Sequence, residues 1–196
     1  MFMQTSFIPI DYDYFDFEGR NYVRIIGRDD KGKRVCVIDE FEAYFYAILQ
    51  EDISEKRIKE LIVEIEKIEI ENANRKTRVE KIKVEEKNFL GKKKKALKIF
   101  VSNFKDCHAV ADKLDFEEIE FRREYDISLI TKYIIDKKLF PLQWHKIEGE
   151  IITDGYGGIA KIDVDICIKA EKIEKSEESK KIVLQPKILA FDIEAD

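Results

Sequence analysis

Residues 43–49 read Ala43-Tyr44-Phe45-Tyr46-Ala47-Ile48-Leu49, an aromatic and apolar run that predicts a buried β-strand. Ser54 follows as a helix N-cap. Behind it, apolar residues recur at helical spacing: Ile58, Leu61, Ile62, Ile65 and Ile68. The stretch therefore predicts a strand followed by an amphipathic helix.

The same order of elements repeats over the next residues. Arg78 to Glu85 alternates imperfectly as a strand, Gly91 marks a turn, and Ala96 to Val101 predicts a returning strand. Ser102 or Asn103 caps a second helix with an apolar side of Val110, Ala111 and Leu114, and Ile119 to Phe121 closes the unit. This order predicts a ferredoxin-like βαββαβ unit over residues 43–124. RNA-recognition modules share that topology, but their aromatic-rich motif is missing here, and topology alone assigns no function.

The flanking segments carry simpler patterns. Residues 7–40 hold three strand signals separated by turns, which predicts an antiparallel meander. Ser128 begins a short amphipathic helix reaching residue 139, with Ile130, Tyr133 and Ile134 as its buried side and Ile135 as a further candidate for that side. Farther on, residues 159–168 alternate as a strand, and residues 171–181 are a charge-rich stretch that predicts a loop.

The last ten residues combine an apolar run with two carboxylates, Asp192 and Glu194. Strand side chains alternate between faces, so both carboxylates project from the same face. Such a pair is costly unless it is hydrated, paired or bound to a metal, and pairs of this kind hold the divalent ions of two-metal nucleases. On spacing alone, the simpler interpretation is a strand end whose acids lie in water.

The segment Lys187-Ile188-Leu189-Ala190-Phe191-Asp192-Ile193-Glu194 resembles the first exonuclease motif of family-B DNA polymerases. Further segments resemble archaeal members of that family in the same order: Asp11-Tyr12-Asp13-Tyr14 with Glu18-Gly19 and Val23-Arg24-Ile25-Ile26, Phe41 to Ala47, Phe89-Leu90-Gly91-Lys92, and Glu124 to Ile127 with Lys132 to Asp136. Each match is weak, but together they extend from residue 11 to residue 194.

The resemblance implies an α+β chain of three parts. Residues 1–140 would be a polymerase N-terminal domain, made of the antiparallel β meander (1–40), the ferredoxin-like βαββαβ subdomain (43–124) and the helix (128–139). Residues 141–186 would be a connecting β-hairpin or linker. Residues 187–196 would be the first strand of a ribonuclease-H-like 3′–5′ exonuclease sheet, truncated after that strand.

The resemblance also implies a function. Asp192 and Glu194 would be catalytic residues and ligands of Mg2+ or Mn2+, within an enzyme that synthesises DNA on a template and proofreads it. The expected partners are single-stranded template and primer–template DNA, the remaining polymerase domains and a sliding clamp. Alone, these residues would be catalytically inert, because the later acidic motifs are absent. The alternative is a stand-alone, non-catalytic nucleic-acid-binding module from a split or inactivated polymerase gene.

Archaeal members are known for an N-terminal pocket that captures template uracil. Tyr14 and Tyr44 match tyrosines of its lining, and Ile127 matches an isoleucine. The departures are alanine and lysine for two prolines, alanine for valine, leucine for phenylalanine and lysine for arginine: Ala43, Lys93, Ala96, Leu129 and Lys132. Losing the prolines removes rigidity and losing the phenylalanine removes stacking surface, so we expect weakened or lost uracil recognition. The alternative is that Tyr14 and Tyr44 are cross-strand packing partners.

Charge is unevenly distributed along the chain. The formal net charge is −5, yet residues 75–98 contain eleven basic residues against three acidic ones. Such a cluster predicts contact with phosphates, with Lys92, Lys93, Lys94, Lys95 and Lys98 as the DNA-binding candidates. A solvated hairpin whose lysines keep the protein soluble is the alternative. The high charged content of 39%, dominated by lysine and glutamate, is typical of heat-adapted proteins.

The remaining signals exclude other classes of protein. Cys36, Cys107 and Cys167 are widely spaced and form no Cys-x-x-Cys motif, which predicts free core thiols. His108 and His145 are too far apart in sequence to indicate a metal site. No run approaches the roughly 20 apolar residues of a membrane span, and no signal peptide is evident, so a cytoplasmic protein is expected.

Overall fold

A computed structural model describes residues 1–72, 75–153, 155–156 and 162–176. Its elements in chain order are β1 (Phe2–Phe17), β2 (Arg20–Asp29), β3 (Arg34–Glu40), β4 (Ala43–Leu49), α1 (Glu55–Ile65), β5 (Glu69–Asn72), β6 (Arg75–Phe89), β7 (Lys92–Val101), α2 (Cys107–Asp112), β8 (Ile119–Arg123), α3 (Leu129–Lys137), β9 (His145–Ile151) and β10 (Ile166–Lys175). One turn of 3-10 helix, Phe104–Asp106, precedes α2. Within these residues, no helix is both long and apolar enough to cross a lipid bilayer.

The first unit is a closed five-stranded barrel with the order β1-β2-β3-β10-β9. The strands β1, β2 and β3 form the antiparallel meander that the sequence predicts. The two late strands close it, because β9 pairs with β1 antiparallel and β10 pairs with β3 parallel. The late hairpin is therefore part of the same barrel as the first forty residues.

The loop predicted over residues 171–181 is wrong as far as Lys175, since β10 continues to that residue. The strand predicted over residues 159–168 is wrong for residues 162–165, which are described and lie outside any strand, and it is confirmed from Ile166; residues 159–161 lie outside the described part. Charges that suggest a loop in isolation are matched across the hairpin. Three opposite-charge pairs face each other between β10 and β9: Lys169 with Glu150, Lys172 with Glu148, and Glu174 with Lys146. Such pairs stabilise an antiparallel ladder.

Two glycines allow the barrel strands to approach closely. A Cβ on Gly27 would lie 2.1 Å from the carbonyl oxygen of Ile8 and 2.5 Å from the Phe7 ring. A Cβ on Gly149 would lie 2.1 Å from the carbonyl oxygen of Lys169. Both glycines lie beside a shift in strand register, one after Pro9 and the other after Ala170. Irregularities of this kind bend strands and help a sheet to close.

The second unit is a five-stranded sheet with the order β5-β6-β7-β4-β8. Strand β7 lies between β4 and β6 and is antiparallel to both, so β4 and β6 are parallel and are connected through α1. Likewise β4 lies between β7 and β8, which are connected through α2. This is the predicted ferredoxin-like split βαβ arrangement. The short edge strand β5 is an addition that the sequence pattern does not indicate.

The predicted cap of α1 is confirmed, whereas Asn103 caps the 3-10 turn before α2 and α2 itself has no side-chain cap. Ser54 Oγ accepts the backbone N–H of Arg57 at 3.2 Å, and Asn103 Oδ1 accepts that of Lys105 at 3.0 Å. Helix α1 buries Ile58, Leu61 and Ile65. The helix side of the sheet and the barrel interior share one hydrophobic core, so the two units pack as a single body.

Helix α3 begins after Ser128, whose side chain accepts the backbone N–H of Thr131 at 3.1 Å. Its buried residues are Leu129, Lys132 and Tyr133. The prediction that Ile135 is buried is wrong, because its side chain is 60% exposed. The Tyr133 hydroxyl donates to Asp39 Oδ2 at 2.8 Å, which attaches α3 to the end of β3.

Candidate nucleic-acid interface

The candidate catalytic pair, Asp192 and Glu194, lies outside the described residues. Its position on a strand, and its role as a metal site, therefore stay predictions. Across residues 1–72, 75–153, 155–156 and 162–176, no group of three or more histidine, cysteine, aspartate or glutamate side chains could hold a metal ion. The structure accordingly addresses the nucleic-acid-binding candidates.

The lysine-rich tip of the β6–β7 hairpin is partly neutralised. Leu90 and Gly91 form the turn with positive φ angles, and Leu90 is 90% exposed. Lys94 forms ion pairs with Glu120 and, at 3.7 Å, with Glu51, while Lys95 pairs with Glu55 at the start of α1. Lys93 lies 4.0 Å from Glu86, with its side chain 83% exposed. Lys92 has no ion pair within the described part of the chain, so the four tip lysines are not equivalent.

Other residues of the basic cluster are structural. Asp106 is buried, and its carboxylate accepts hydrogen bonds from Arg75 Nε at 2.6 Å, Asn72 at 2.7 Å and the Thr77 hydroxyl at 2.5 Å. The Arg75 guanidinium, followed by these other donors, holds the pKa of the Asp106 carboxyl below its usual range. This network fastens the β5–β6 hairpin to the turn before α2. The Arg75 side chain is therefore part of a structural ion pair and is not a free cation for a phosphate.

The sheet face opposite α1 and α2 combines aromatic rings with cations. Strand alternation and register place its members together: Tyr44 and Tyr46 of β4; Lys81, Lys83, Lys87 and Phe89 of β6; Lys98 and Phe100 of β7; and Phe121 and Arg123 of β8. We call these residues the lysine–aromatic face. Lys98, one of the sequence candidates, is its central cation.

The cations of this face lie over the rings. Lys98 Nζ is 3.7 Å from the centroid of Tyr44, and Lys87 Nζ is 4.3 Å from that of Tyr46. Lys81 Nζ is 4.4 Å from the centroid of Phe100. These distances are within the range of cation–π attraction. Under the lysines, Tyr46 and Phe100 are only 4% and 6% exposed.

The environment of this face changes the pKa of one tyrosine and of one lysine. Burial raises the pKa of the Tyr46 hydroxyl, and a hydrogen bond to that hydroxyl raises the pKa of Lys87. Lys81 also pairs with Glu42 at 2.5 Å, and Lys87 lies 3.7 Å from Glu85. Lys83 and Lys98, by contrast, have no ion pair among the described residues. Their charge remains available to an anionic partner.

The residues that match the uracil pocket do not form one group in the structure. Tyr44 and Lys132 are in contact: the Lys132 ammonium donates to the Tyr44 carbonyl and lies 4.6 Å from its ring centroid. The Tyr44 hydroxyl donates to Asp136 Oδ2 at 2.8 Å. Ala43, Ala96 and Leu129 are fully buried, Ile127 is half-buried, and Lys93 is remote at the hairpin tip. Burial lowers the pKa of the Lys132 ammonium.

Tyr14 and Tyr44 are not cross-strand partners of each other, because they belong to different sheets. Tyr14 pairs with Val23 in the barrel, and its ring packs edge-on against Phe104 at 5.6 Å. Tyr44 pairs with Phe100 in the second unit. Tyr14 therefore packs in the barrel and Tyr44 in the five-stranded sheet.

Two groups of residues in the structure are not predicted from the sequence. The first is Tyr46, Lys81, Lys83, Lys87, Phe100 and Arg123 of the lysine–aromatic face. The alternation of Tyr44 with Tyr46, and of Lys81 with Lys83, is the available signal. The second is the pair Cys36 and Cys167, which lie directly opposite each other on β3 and β10. Both are buried free thiols, as the sequence predicts for all three cysteines, and a hydrogen bond between them together with burial raises the pKa of the Cys36 thiol.

The sheet face combines cations with aromatic rings on a ferredoxin-like scaffold, an arrangement typical of surfaces that contact single-stranded nucleic acids. Residues 121–196 match the family model of the DNA polymerase family B exonuclease domain. The chain is 29% identical over 135 residues to a DNA polymerase of Thermococcus kodakarensis, covering 68% of this chain and 8% of that protein. It is equally identical to the DNA polymerase of Thermococcus gorgonarius over 68% of this chain and 17% of that protein.

The fold has a solved counterpart in the family B DNA polymerase from the hyperthermophilic archaeon Pyrobaculum calidifontis. The TM-score is 0.68 at 24% identity, covering 88% of this chain and 20% of that one. The predicted resemblance to archaeal family-B DNA polymerases is thus confirmed. It spans less than a fifth of the length of these curated relatives.

Proposed function

We propose that these residues are the template-contacting N-terminal part of a family-B DNA polymerase that synthesises DNA and proofreads it by 3′–5′ exonuclease action. The observation that carries the proposal is the match to the family exonuclease domain, which runs through Asp192 and Glu194. The polymerase would act in the cytoplasm, with its other domains and a sliding clamp.

Asp192 and Glu194 would hold Mg2+ or Mn2+ for the exonuclease reaction. A bound divalent ion activates water and stabilises the charge that develops during phosphodiester cleavage. The two carboxylates suit a hard cation that prefers oxygen ligands. Two acids alone make an incomplete site, so we expect the 196-residue chain not to degrade DNA.

The catalytic proposal can be tested in a longer polymerase containing this chain. Asp192→Ala with Glu194→Ala should abolish 3′-end degradation and leave polymerisation largely intact, measured on a labelled primer–template. Asp115→Ala with Glu117→Ala is the matched control, since these exposed acids have the same i, i+2 spacing. Full exonuclease activity in the Asp192 and Glu194 variant would contradict the assignment. Absence of exonuclease and polymerase activity from the unaltered protein would favour the non-catalytic module.

The proposed template contact can be tested by the salt dependence of single-strand affinity. Each lysine that neutralises a phosphate contributes about −0.7 to the log–log slope. Replacing Lys92, Lys93, Lys94 and Lys95 with glutamine should flatten that slope. Because Lys94 and Lys95 already pair with glutamates, we expect Lys92→Gln with Lys93→Gln to account for most of the change. An unchanged slope in the fourfold variant would make the tip a solubility feature.

We further propose that discrimination between uracil and thymine has been lost. Lys132 and Asp136 already engage the carbonyl and hydroxyl of Tyr44, and several neighbouring positions are buried. A close-fitting pocket would discriminate a methyl by about 1–3 kcal/mol. Matched uracil and thymine oligonucleotides should therefore bind with a ratio near one, both to the unaltered chain and to Tyr44→Ala. A ratio of about ten that Tyr44→Ala removes would contradict this proposal.

A further inference from the structure

We propose that the lysine–aromatic face binds single-stranded DNA by stacking bases on Tyr46 and Phe100, while Lys87 and Lys98 move from the rings to the phosphates. The inference rests on the proposed template contact and names the surface and the kind of contact involved. It concerns the part of the sheet beyond the Tyr44–Lys132 contact, and it is independent of uracil recognition.

The first argument is the position of the rings. Tyr46 of β4 faces Lys98 of β7 in the register, and Phe100 lies two residues along the same strand. Side chains two apart on a strand share a face, so both rings belong to one surface. Helices α1 and α2 pack on the other side of the sheet, where Phe45, Leu97 and Ile99 are fully buried. The rings of Tyr46 and Phe100 therefore lie on the face away from the two helices, although they belong to the same hydrophobic cluster.

The second argument is what covers the rings. Lys98 Nζ lies 5.8 Å from the Tyr46 centroid and 5.3 Å from the Phe100 centroid, besides its closer contact with Tyr44. Lys83 Nζ lies 5.5 Å from the Phe100 centroid. A lysine side chain has four rotatable bonds and can leave a ring without any change in the backbone. The lysine part of the cover over the rings can therefore move aside.

The third argument is charge complementarity. Lys83, Lys98 and Arg123 of this face have no ion pair among the described residues, and Lys87 lies only beside Glu85. A partner that stacks on rings and also presents regularly spaced anions satisfies both features at once. A single DNA strand has that chemistry, because its bases offer π-faces and its phosphates attract lysine. Duplex DNA hides its base faces and cannot use the rings.

The face continues toward a second aromatic group. Phe89 and Phe121 pack at 5.5 Å between centroids, and the Arg123 guanidinium lies 4.7 Å from the Phe121 centroid. Phe121 is 36% exposed. A strand that leaves Tyr46 along β8 would meet a further ring and a further cation. The face therefore offers an extended track for a strand.

The proposal predicts that bases as well as phosphates contribute to affinity. The full 196-residue chain is titrated by fluorescence anisotropy with labelled dT12 and with a 12-residue abasic strand that has the same phosphates. Stacking of two bases should make dT12 bind at least about tenfold more tightly. Tyr46→Leu with Phe100→Leu should remove that preference and leave the salt slope unchanged. Tyr46→Phe keeps the ring and should keep the preference, as should Phe140→Leu, which removes an exposed ring elsewhere.

Thermal unfolding of each variant shows whether it is folded. If the double variant unfolds, ring-proton NMR shifts of Tyr46 and Phe100 in the unaltered chain decide the matter. They should move on addition of dT12 and stay in place with the abasic strand.

Equal, salt-sensitive binding of dT12 and the abasic strand would overturn stacking and leave the template contact standing. Failure to bind either strand would overturn the proposed template contact itself. Binding of rU12 at least about tenfold more tightly than dT12 would overturn DNA as the occupant.

Discussion

The barrel and the five-stranded sheet are built from the same number of strands but differ in how sequence supplies them. The sheet uses one continuous stretch, from Ala43 to Arg123. The barrel joins residues 2–40 to residues 145–175. They also differ in surface: the barrel exposes matched opposite charges, and the sheet exposes cations above aromatic rings. The charges of the barrel hairpin are therefore paired with each other, whereas the sheet has cations, unpaired among the described residues, that could bind the phosphates of a DNA strand.

The largest expected effect is on closure of the barrel. Gly149→Ala places a methyl group 2.1 Å from the Lys169 carbonyl oxygen, and backbone atoms must shift to accommodate it. We expect a loss of about 3 kcal/mol or more in the free energy of unfolding, measured by urea denaturation. Gly155→Ala is the control, because a Cβ there meets nothing within 4 Å. An equal loss for both variants would show that close approach at Gly149 is not what limits closure.

The next effect concerns the sheet. Asp106→Asn removes the negative charge facing Arg75 and one acceptor of the buried network, and should cost about 2–4 kcal/mol in the free energy of unfolding. Asp112→Asn, at an exposed carboxylate 3.6 Å from Arg122, should cost less than about 1 kcal/mol. Hydrogen exchange should locate the first loss at β5 and β6. Equal costs for the two variants would show that the Asp106 network stabilises the fold no more than a surface ion pair does.

A smaller effect is a difference between the two units in how their stability depends on pH. Burial lowers the pKa of His145 in β9, despite hydrogen bonds to the Gln143 and Lys138 carbonyls that oppose the shift. The folded chain therefore binds this proton less well than the unfolded chain does. The stability from neutral His145 is present above the unfolded pKa of about 6.5 and is lost as pH falls through the folded pKa.

The sheet should respond only in stronger acid. The pKa of Asp106 is also lowered, so its contribution is present above an unfolded value of about 3.9 and is lost as pH falls through the folded value. Hydrogen exchange between pH 7 and pH 5 should therefore weaken β9 before β6, and His145→Gln should remove the early step. Simultaneous weakening of both strands in the unaltered chain would indicate one cooperative unit.

The smallest effect compares single lysines on the two surfaces. Lys83→Gln should reduce the log–log salt slope for a single DNA strand by about 0.7 without changing stability. Lys169→Gln, on β10 opposite Glu150, should leave that slope unchanged. Equal changes at the two positions would mean that binding follows total charge and not the lysine–aromatic face.

Local patterns predict the sheet well and the barrel only in part. Ser54 and the stripe Ile58, Leu61, Ile65 are close in sequence, so helix α1 is readable without knowledge of any distant partner. Barrel closure depends on the pairing of β9 with β1 and of β10 with β3, and the local sequence pattern does not predict that pairing. The charged run containing Lys172 and Glu174 resembles a loop until Glu148 and Lys146 are placed opposite it.

The candidate interface shows the same limit. Sequence predicts a basic hairpin, but it does not reveal that Glu120 and Glu55 neutralise Lys94 and Lys95. Nor does it reveal that Lys87 lies over Tyr46, because that contact joins β6 to β4 across β7. Contacts between non-neighbouring strands depend on sheet order and register, which residue spacing alone does not specify.

Barrel closure also has a consequence for synthesis on the ribosome. Strands β1 to β3 leave the ribosome before their closing partners, which begin only at His145. At about 5–20 residues per second, the meander waits on the order of ten seconds for β9 and β10. The ferredoxin-like sheet, whose strands are contiguous in sequence, can fold in that interval. Until translation passes Lys175, the outer edges of β1 and β3 remain unpaired and open to other nascent chains. For this protein, the period of greatest exposure to misassembly is set by the rate of translation.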